Sequence, residues 1–421
     1  MLPVTQATPV VARRFGELRI VAPVCVAHFL SHYYMIMLAP LFAFVRADYG
    51  VSYTDLALAL TVFNVISAAL QTPAGFLVDR IGARLVLAAG IALGTVAFAV
   101  AGMVDSFIVF IAMYAVAGLG NTAYHPADYS LLSHRTAPAR MGQVFSFHTF
   151  AGILGSAVAP ATLLALHGRF GWRGAYIGAA LLGVAVLAFV LAQRSALADR
   201  PIEKRSVATP GTSGAGASPY DGQGLGLLLS PPIVFNLFFF VLISMMGGLN
   251  NFLVVALGAL YDTSATLANG ALTALLLMNA LGVLAGGLMA SRTDRHAVVA
   301  GLGLACAGAA TALIGVVGFS SLALVLTASL SGFFVGIVSP SRDMLVRAAT
   351  PHGAYGRVFG FVSSGFNIGS MISPTIYGML LDRGETRAVF LFSAACSILA
   401  IGTVAFGLSG RKTPREMHDS A

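Results

Sequence analysis

Long stretches without a charged residue restrict most strongly what this chain can fold into. Between Ile20 and Phe42 there is no Asp, Glu, Lys or Arg. About 20 apolar residues are needed for a helix to cross a bilayer, and the backbone polar groups of such a segment must be satisfied internally, which favours a helix. Hydrophobic residues make up 57% of the 421 residues and charged residues only 10%, too few charges for a soluble surface. The sequence therefore predicts an all-α polytopic membrane protein.

Apolar stretches of this kind recur about twelve times. The predicted spans are 20–42, 54–78, 85–104, 107–133, 142–167, 174–192, 231–260, 265–290, 297–317, 320–346, 358–381 and 387–408. A charged run from Asp199 to Arg205 and a stretch rich in Gly, Ser, Thr and Pro from Thr209 to Ser218 separate the sixth span from the seventh, which is typical of a flexible linker. We therefore expect an N-terminal six-helix bundle in residues 1–192, a cytoplasmic linker in residues 193–230 and a C-terminal six-helix bundle in residues 231–421.

Basic residues are distributed unequally between the two sides of the predicted membrane. Eighteen Lys and Arg residues fall on the side that holds both termini and the linker, and five fall on the other side. An excess of positive charge marks the cytoplasmic side, so we expect a multi-pass protein of the inner (cytoplasmic) membrane with both termini in the cytoplasm. The net charge of +8 is spread over short loops rather than gathered in one patch, so no nucleic-acid partner is expected.

The two halves of the chain are related by an internal repeat. A shift of 214 residues places Met141–Phe147 on Tyr355–Phe361 with four identical residues, and it places Pro126 on Pro340. A parallel repeat of six helices predicts two bundles related by an axis along the membrane normal, with a substrate site between them.

The segment from Gly75 to Arg84 reads Gly-Phe-Leu-Val-Asp-Arg-Ile-Gly-Ala-Arg. It resembles the motif between the second and third helices of the major facilitator superfamily, although Ala83 stands where a basic residue is usual. The equivalent segment of the second half is degraded, with Ser291 in place of the Asp. The resemblance covers essentially the whole chain and implies two six-helix bundles that work by alternating access. It assigns conformational gating to the motif residues Gly75, Asp79, Arg80, Gly82 and Arg84.

Two further patterns are similar to the fosmidomycin-resistance group of bacterial transporters within this superfamily. They are Tyr124-His125-Pro126 in the fourth helix and Gly152, Gly155 and Pro160 in the fifth. This similarity implies a proton-driven exporter. The fifth-helix pattern departs from the one associated with antiporters, so the direction of transport stays open. Gly152, Gly155 and Pro160 are interpreted as kinks or close-packing positions.

Polar side chains inside the predicted helices are costly in lipid and usually face a cavity. His28 and His32 lie four residues apart, and so on one face of the first helix. We interpret this pair as a site for a proton or for substrate, because histidine titrates near physiological pH. The remaining candidates for the substrate or proton pathway are Tyr33, Tyr124, His125, His148, Asn250, Asn251, Arg342 and Asn367. For each Asn and Tyr, a bond to a neighbouring helix is an equally good interpretation.

The repeat places Asp128 and Arg342 at equivalent positions, since 128 plus 214 is 342. Both lie near the predicted cytoplasmic end of a helix, so a pair between them could close that side, and we add both to the gating residues. The alternative is local pairing, of Arg342 with Asp343 and of Asp128 with His125 or a loop arginine. Arg342 is also the only Arg or Lys well inside a predicted helix, which favours a polar or anionic solute.

These features predict a secondary active transporter that moves a small polar or anionic solute by alternating access, with proton-coupled efflux as the first hypothesis. Organic-acid uptake by a symporter or a facilitator is the alternative within transport. A non-transporting membrane sensor on a transporter fold is the alternative of another class.

Other classes of function are not expected from the sequence. It has no nucleotide-binding P-loop, which argues against direct ATP drive. No enzymatic activity, catalytic set, cofactor or metal site is expected, since His28 and His32 lack the intervening Glu of a zinc-binding helix motif. The expected partners are a small-molecule substrate and the lipid bilayer, with protons added if transport is coupled, and the chain is expected to be a monomer.

Overall fold

The computed structural model describes residues 10–135, 141–197, 224–350 and 355–409. Within these ranges the regular elements are helices, without a strand. The α-helices are α1 (Val10–Met35), α2 (Phe42–Tyr49), α3 (Tyr53–Ile81), α4 (Ala83–Met103), α5 (Phe107–Asn121), α6 (Tyr124–Arg135), α7 (Met141–Ala192), α8 (Gly224–Leu228), α9 (Pro231–Gly247), α10 (Leu249–Tyr261), α11 (Ala265–Ala290), α12 (His296–Val316), α13 (Ser321–Ala349), α14 (Tyr355–Asp382) and α15 (Thr386–Ser409).

Ten helical segments among the described residues are long and apolar enough to cross a membrane. One of them, Phe147–Ala192, has 46 residues and contains two of the predicted spans, because Gly171 interrupts it with a φ of 71°. α14 adds a helix of 28 residues, long enough to cross a hydrocarbon core of about 30 Å. Large apolar side chains such as Ile108 and Leu322 are exposed, as expected where helices face lipid. The prediction of an all-α polytopic membrane protein with about twelve spans is confirmed.

The structure interrupts three of the predicted spans. α1 ends at Met35, and the 3₁₀ turn Ala39–Leu41 that follows it contains a proline, which has no backbone N–H to continue a helix. The fourth span divides into α5 and α6, and between them the Thr122 hydroxyl donates to the Leu119 carbonyl at 2.7 Å. The seventh span divides into α9 and α10 at Gly248. Apolar periodicity continues across all three breaks, so composition alone did not reveal them.

The first of two compact units comprises Met1–Met37 and Val65–Thr209. Within it α1 packs on α7, and α4 packs on α5 and α7. Phe98, Tyr114 and Tyr176 are buried where α4, α5 and α7 meet, and the hydroxyl oxygens of the two tyrosines are 2.7 Å apart. α6 contacts α1, α4 and α7. These contacts bring α1, α6 and α7 side by side.

The second unit comprises Leu38–Asn64 and Pro210–Ala421. In it α13 packs on α11 and α12, and α15 packs on α9 and α12. The rings of Phe42 and Phe252 lie 5.1 Å apart, which joins α2 to α10. The predicted linker in residues 193–230 lies largely outside the described residues, so the predicted bundle boundaries stay a prediction.

The end of α14 caps the start of α3 inside this second unit. The Asp382 carboxylate accepts the backbone N–H groups of Tyr53 and Thr54 at 2.7 and 2.8 Å. The first N–H groups of a helix have no partner within the helix, and a carboxylate that accepts from them also interacts favourably with the helix dipole. α14 therefore stabilises the first turn of α3.

The motif that resembles the superfamily pattern is mostly helical. α3 continues to Ile81, so Gly75 and Arg80 lie in its last turns rather than in a loop. Gly82 precedes α4 with a φ of 95°, which residues other than glycine rarely adopt. The Nε of Arg84 is buried without a hydrogen-bond partner among the described residues. The side chain of Asp79 lies outside the described part, and the gating role of the motif stays a prediction.

Candidate functional site

Three helices of the first unit bring imidazole and carboxylate groups together. α1 carries His28 and His32, α6 carries His125 and Asp128, and α7 carries His148. The exposed fractions of His28, His148 and Asp128 are 3%, 1% and 0%. Burial of an ionised carboxylate costs several kcal/mol unless partners compensate for the lost water. The contacts of Asp128 therefore decide what this cluster can do.

Asp128 is the centre of the cluster. Its Oδ2 lies 3.0 Å from the Nε2 of His148 and 3.5 Å from the Nδ1 of His28. Its Oδ1 is buried and has no hydrogen-bond partner among the described residues. Because an ionised carboxylate can accept several hydrogen bonds, its acceptor capacity is not satisfied here. This environment favours neutralisation of the carboxylate by a proton, bound either to it or to a neighbouring histidine.

The rings of His28 and His148 are stacked, with centroids 3.7 Å apart and planes inclined by 19°. Two imidazolium cations at this separation would repel each other by about 4–5 kcal/mol at an effective dielectric constant of about 20. The pair therefore holds at most one positive charge. One protonated histidine beside the Asp128 carboxylate makes the cluster neutral, so the cluster can change its net charge from −1 to zero by binding one proton.

His32 and His125 border the buried part of the cluster. Their ring centroids lie 4.7 and 5.2 Å from that of His28, and both residues are only half-buried. Gly152 on α7 makes room for the histidines of α1, because a Cβ at Gly152 would lie 2.7 Å from the His28 ring and 2.8 Å from the His32 ring. Imidazoles thus lead from half-buried positions to Asp128, an arrangement suited to proton transfer.

The same cluster has the composition of a metal site. One ligand atom each from His28, Asp128 and His148 lie within 4.8 Å of one another. Two imidazoles bound to one tetrahedral zinc ion would have ring centroids about 5 Å apart, given Zn–N bonds of about 2.0–2.1 Å. The observed separation of 3.7 Å is shorter than that geometry requires. The stacking therefore favours a shared proton over a shared ion.

The two predicted tyrosines of the first unit have different surroundings. The hydroxyl oxygen of Tyr33 lies 2.8 Å from the Oγ1 of Thr162, so Tyr33 bonds to a neighbouring helix, as the alternative interpretation expects. Tyr124 is buried, and its hydroxyl has no hydrogen-bond partner among the described residues. Tyr124 lies four residues before Asp128 on α6 and stays a candidate beside the cluster.

In the second unit, Arg342 is the predicted pathway residue with the best-defined contacts. Its Nε donates to the Oδ1 of Asp343 at 2.9 Å, and its guanidinium group lies beside the rings of Phe240 and Phe366. Arg342 thus has the local partner that the alternative interpretation expects, whereas Asp128 bonds to His148 on another helix of its unit rather than to His125. The role of the two residues in gating stays a prediction. The other predicted pathway residues of this unit are half-buried, namely Asn250, Asn251 and Asn367.

Sequence reasoning named the residues of the cluster but did not pair them. It assigned Asp128 to gating and His148 to the pathway, and two residues 20 positions apart on different helices give no local signal that they bond. Phe240 and Phe366 carry no polar signal at all. The repeat offered one indication of the role of Phe366. Position 366 is equivalent to Gly152, just as Arg342 is equivalent to Asp128, and in each unit the two residues belong to the same site.

The chain is similar in sequence to two probable transporters and to a homologue of a multidrug resistance protein. A probable sulfoacetate transporter of Cupriavidus necator is 24% identical over 407 residues, which cover 92% of each chain. A probable L-galactonate transporter of Escherichia coli is 31% identical over 140 residues, which span 33% of this chain and 31% of the relative. A multidrug resistance protein B homologue of Mycobacterium tuberculosis is 27% identical over 192 residues, 46% of this chain and 33% of the relative. The last two matches thus span about a third of those relatives.

Solved structures of transporters share the fold. A bacterial homologue of the human lysosomal transporter Spinster, in an inward-facing and occupied conformation, has a TM-score of 0.73 at 13% identity over 94% of this chain and 99% of that chain. The nucleoside transporter NupG has a TM-score of 0.73 at 14% identity over 93% and 100% of the two chains. The family model of the Major Facilitator Superfamily matches residues 24–256 and again residues 237–420. The chain therefore belongs to the Major Facilitator Superfamily and is a multi-pass membrane transporter of that type.

Proposed function

We propose that this transporter moves a small organic anion together with one proton by alternating access, and that Asp128 and its histidine partners carry the proton. The observation that carries the proposal is the fully buried carboxylate of Asp128, bonded to His148 and contacted by His28. A buried ionisable group inside a membrane-spanning helix is costly and usually marks a transport or proton pathway.

The neighbours of Asp128 support a proton rather than a permanent counter-charge. The titratable groups that face Asp128 are Cys25 and His28 from α1, His148 from α7, and Tyr124 and His125 from its own helix. In the ion pairs of Asp128 among the described residues, the partner is a histidine, which is cationic only when it binds a proton. Neutrality of the cluster therefore requires a proton, and release of the proton restores a buried charge.

The proposed solute class rests on the relatives and on charge balance. Two relatives are named as probable transporters of sulfoacetate and L-galactonate, and both of these compounds are organic acids. The match to the sulfoacetate transporter extends over nearly the whole of both chains. This favours an organic acid as the solute, and uptake together with a proton is the direction that we propose for it. A monovalent anion such as L-galactonate that moves with one proton transfers no net charge, because the proton balances the charge of the solute. Sulfoacetate carries two negative charges near neutral pH, so its transport with one proton would move one net negative charge.

The topology belongs to the same proposal. The eighteen-to-five distribution of Lys and Arg supports an inner-membrane location with both termini in the cytoplasm. The internal repeat supports two six-helix bundles, in residues 1–192 and 231–421, and the chain acts as a monomer. The similarity of Tyr124-His125-Pro126 to the fosmidomycin-resistance group stays a hypothesis, because it implies export.

Transport into proteoliposomes tests the function. Vesicles with an alkaline interior are offered radiolabelled sulfoacetate or L-galactonate, and we expect accumulation that a protonophore abolishes. Asp128→Asn should lose accumulation but keep exchange of labelled for unlabelled anion, because exchange needs no net proton movement. His28→Gln and His148→Gln should shift the pH dependence of uptake. Asp294→Asn, which changes an exposed carboxylate in the second unit, is the control and should behave as wild type.

Three results would overturn the proposal. Uptake that does not respond to the pH gradient indicates a passive facilitator. Accumulation only when the gradient is inverted indicates efflux by exchange for protons. Full gradient-driven accumulation by Asp128→Asn shows that another group carries the proton.

A further inference from the structure

The guanidinium group of Arg342 lies beside a pair of aromatic rings in the second unit, about equally far from each of them. Its guanidinium carbon is 4.9 Å from the ring centroid of Phe240 and 5.0 Å from that of Phe366. The side chain of Arg342 is 16% exposed, so the charge is largely removed from solvent but can still be reached. Guanidinium groups interact favourably with aromatic rings, so contact with this ring pair restricts where the charged group can lie.

The aromatic pair is itself held by the core of the second unit. Phe240 is 2% exposed and belongs to a cluster of buried residues from α9, α12, α13, α14 and α15, against which Phe366 also packs. The two ring centroids are 4.6 Å apart. The Ser244 hydroxyl donates to the Phe366 carbonyl at 2.8 Å, which ties α9 to α14 beside the rings. A charged group supported in this way is pre-organised for a ligand.

Among the described residues, Arg342 uses only part of its hydrogen-bonding capacity. Its Nε donates to Asp343, and its two terminal nitrogens have no hydrogen bond to the described part of the chain. The partner carboxylate is 53% exposed, so it is well hydrated and competes weakly for the guanidinium group. A guanidinium fork with free terminal N–H groups matches the two oxygens of a carboxylate or sulfonate.

Repeat-equivalent positions carry opposite charges in the two units. Asp128 and Arg342 are equivalent, and so are Gly152 and Phe366, since each pair differs by 214. In the first unit the glycine leaves space for histidines beside a carboxylate. In the second unit the phenylalanine occupies the equivalent position and packs beside a guanidinium group. The same structural place is thus suited to a proton in one unit and to an anion in the other.

We propose that Arg342, supported by the adjacent rings of Phe240 and Phe366, binds the carboxylate or sulfonate group of the transported solute. This inference rests on the proposed function, because it names the residue that recognises the anion. A phosphate group of an anionic lipid offers the same chemistry to a guanidinium group, and the experiment therefore separates the two sources.

Binding to the purified protein in detergent without added lipid tests the assignment. The probes are L-galactonate and sulfoacetate, with L-galactose as the neutral counterpart of the first, measured by isothermal titration calorimetry at constant pH. We expect both acids to bind and the sugar not to bind. Arg342→Gln should weaken binding of the acids about 10- to 100-fold, the usual effect of losing a hydrogen bond to a charged group. Arg342→Lys should recover part of the loss, because it restores charge without the fork.

Matched variants separate recognition from folding. Arg347→Gln removes an exposed charge five residues further along α13 and should bind the acids within about twofold of wild type. Phe366→Leu should weaken binding severalfold, since it removes one stacking face. Every variant is compared with wild type by gel filtration and thermal unfolding. If Arg342→Gln does not elute as wild type, Arg342→Met takes its place.

The outcomes that overturn the proposal are specific. The assignment fails if a folded Arg342→Gln binds the acids with wild-type affinity, if acid and sugar bind equally well, or if neither acid binds. It also fails if phosphatidylglycerol micelles bind in a way that depends on Arg342 and the acids do not compete with them. The proton assignment fails separately: if Asp128→Asn still accumulates solute but Arg342→Gln loses affinity, the anion site stands. If Arg342→Gln binds the acids as wild type does but gradient-driven accumulation depends on Asp128, the proposed function stands without the anion site at Arg342.

Discussion

The contact of Asp382 with the start of α3 gives a prediction whose size and pH dependence both follow from the structure. The carboxylate accepts two backbone N–H groups, and the guanidinium carbon of Arg46 lies 4.1 Å from the ring centroid of Tyr53 beside it. Partial burial alone would raise the pKa of Asp382, but the hydrogen bonds from Thr54 and Tyr53 and the charge of Arg46 outweigh it and lower the pKa below its usual 3.8.

The magnitude is that of a helix cap at an exposed position. Loss of a capping side chain costs about 0.5–2 kcal/mol. Because Asp382 is exposed and solvent screens its charge, we expect Asp382→Ala to lower the free energy of unfolding by about 1 kcal/mol. Asp382→Asn keeps an acceptor but loses the charge, and should cost about half as much. For a chain of this size we expect a decrease in Tm of about 1–2 °C for the alanine variant.

The assay is thermal unfolding in one detergent at one scan rate, from pH 8 down to pH 3. A group whose pKa is lowered by folding stabilises the protein above its usual pKa and loses this contribution as the pH falls through the folded value. The difference in Tm between wild type and Asp382→Asn should therefore be constant from pH 8 to about pH 5 and disappear only below about pH 4. Glu385→Gln, an exposed carboxylate three residues away, is the control and should leave Tm unchanged. A difference that disappears between pH 8 and pH 6, or an Asp382→Ala variant as stable as Glu385→Gln, would refute the capping argument.

Three further predictions concern the cluster, the gating pair and the topology. Gly152→Ala should lower gradient-driven uptake at least about tenfold, because its Cβ would displace His28 and His32. Gly168→Ala, whose Cβ would meet no atom within 4 Å, should transport normally, and equal uptake by both variants would contradict the crowding argument. Exchange of the two charges in the double variant Asp128→Arg with Arg342→Asp tests the gating pair. We expect it not to restore the transport that each single variant loses, because each residue has a partner within its own unit; partial rescue would support a latch between them. The predicted orientation is tested with Thr212→Cys, in the linker outside the described residues, in a background that lacks Cys25, Cys306 and Cys396. An impermeant maleimide applied to intact cells should not label this cysteine, and efficient labelling would reverse the predicted orientation.

Some of the fold could be predicted closely because the signals are local. The span predicted at 265–290 coincides with α11, and the span at 387–408 differs from α15 by one residue at each end. Breaks inside apolar stretches were missed, as at Thr122 and Gly248, because a turn within an apolar stretch changes hydrogen bonds without changing hydropathy. The extension of α3 through Ile81 was missed for the opposite reason, since the charged Asp79 and Arg80 resembled a loop although the backbone remains helical.

The candidate site was predictable only in part. Polar residues in membrane-spanning helices identified His28, His148 and Asp128, because their cost in lipid is a property of the residue itself. Their mutual contacts were not predictable, since α1, α6 and α7 could each have been rotated to present other faces. The interpretation of Gly152 as a packing position was incomplete for the same reason, because the neighbours it accommodates are two histidines on another helix.

The sequence by itself determined the membrane class, the approximate number and bounds of the membrane spans and the superfamily, since hydrophobic length, charge distribution and a ten-residue motif can each be recognised from neighbouring residues. Only the tertiary structure decided that Asp128 bonds to His148, that His28 stacks on His148, and that Arg342 contacts the rings of two phenylalanines. The physical reason is that hydrophobic burial is proportional to apolar area and indifferent to partners, whereas hydrogen bonds, ring stacking and ion pairs depend on distances of a few ångströms between residues far apart in sequence.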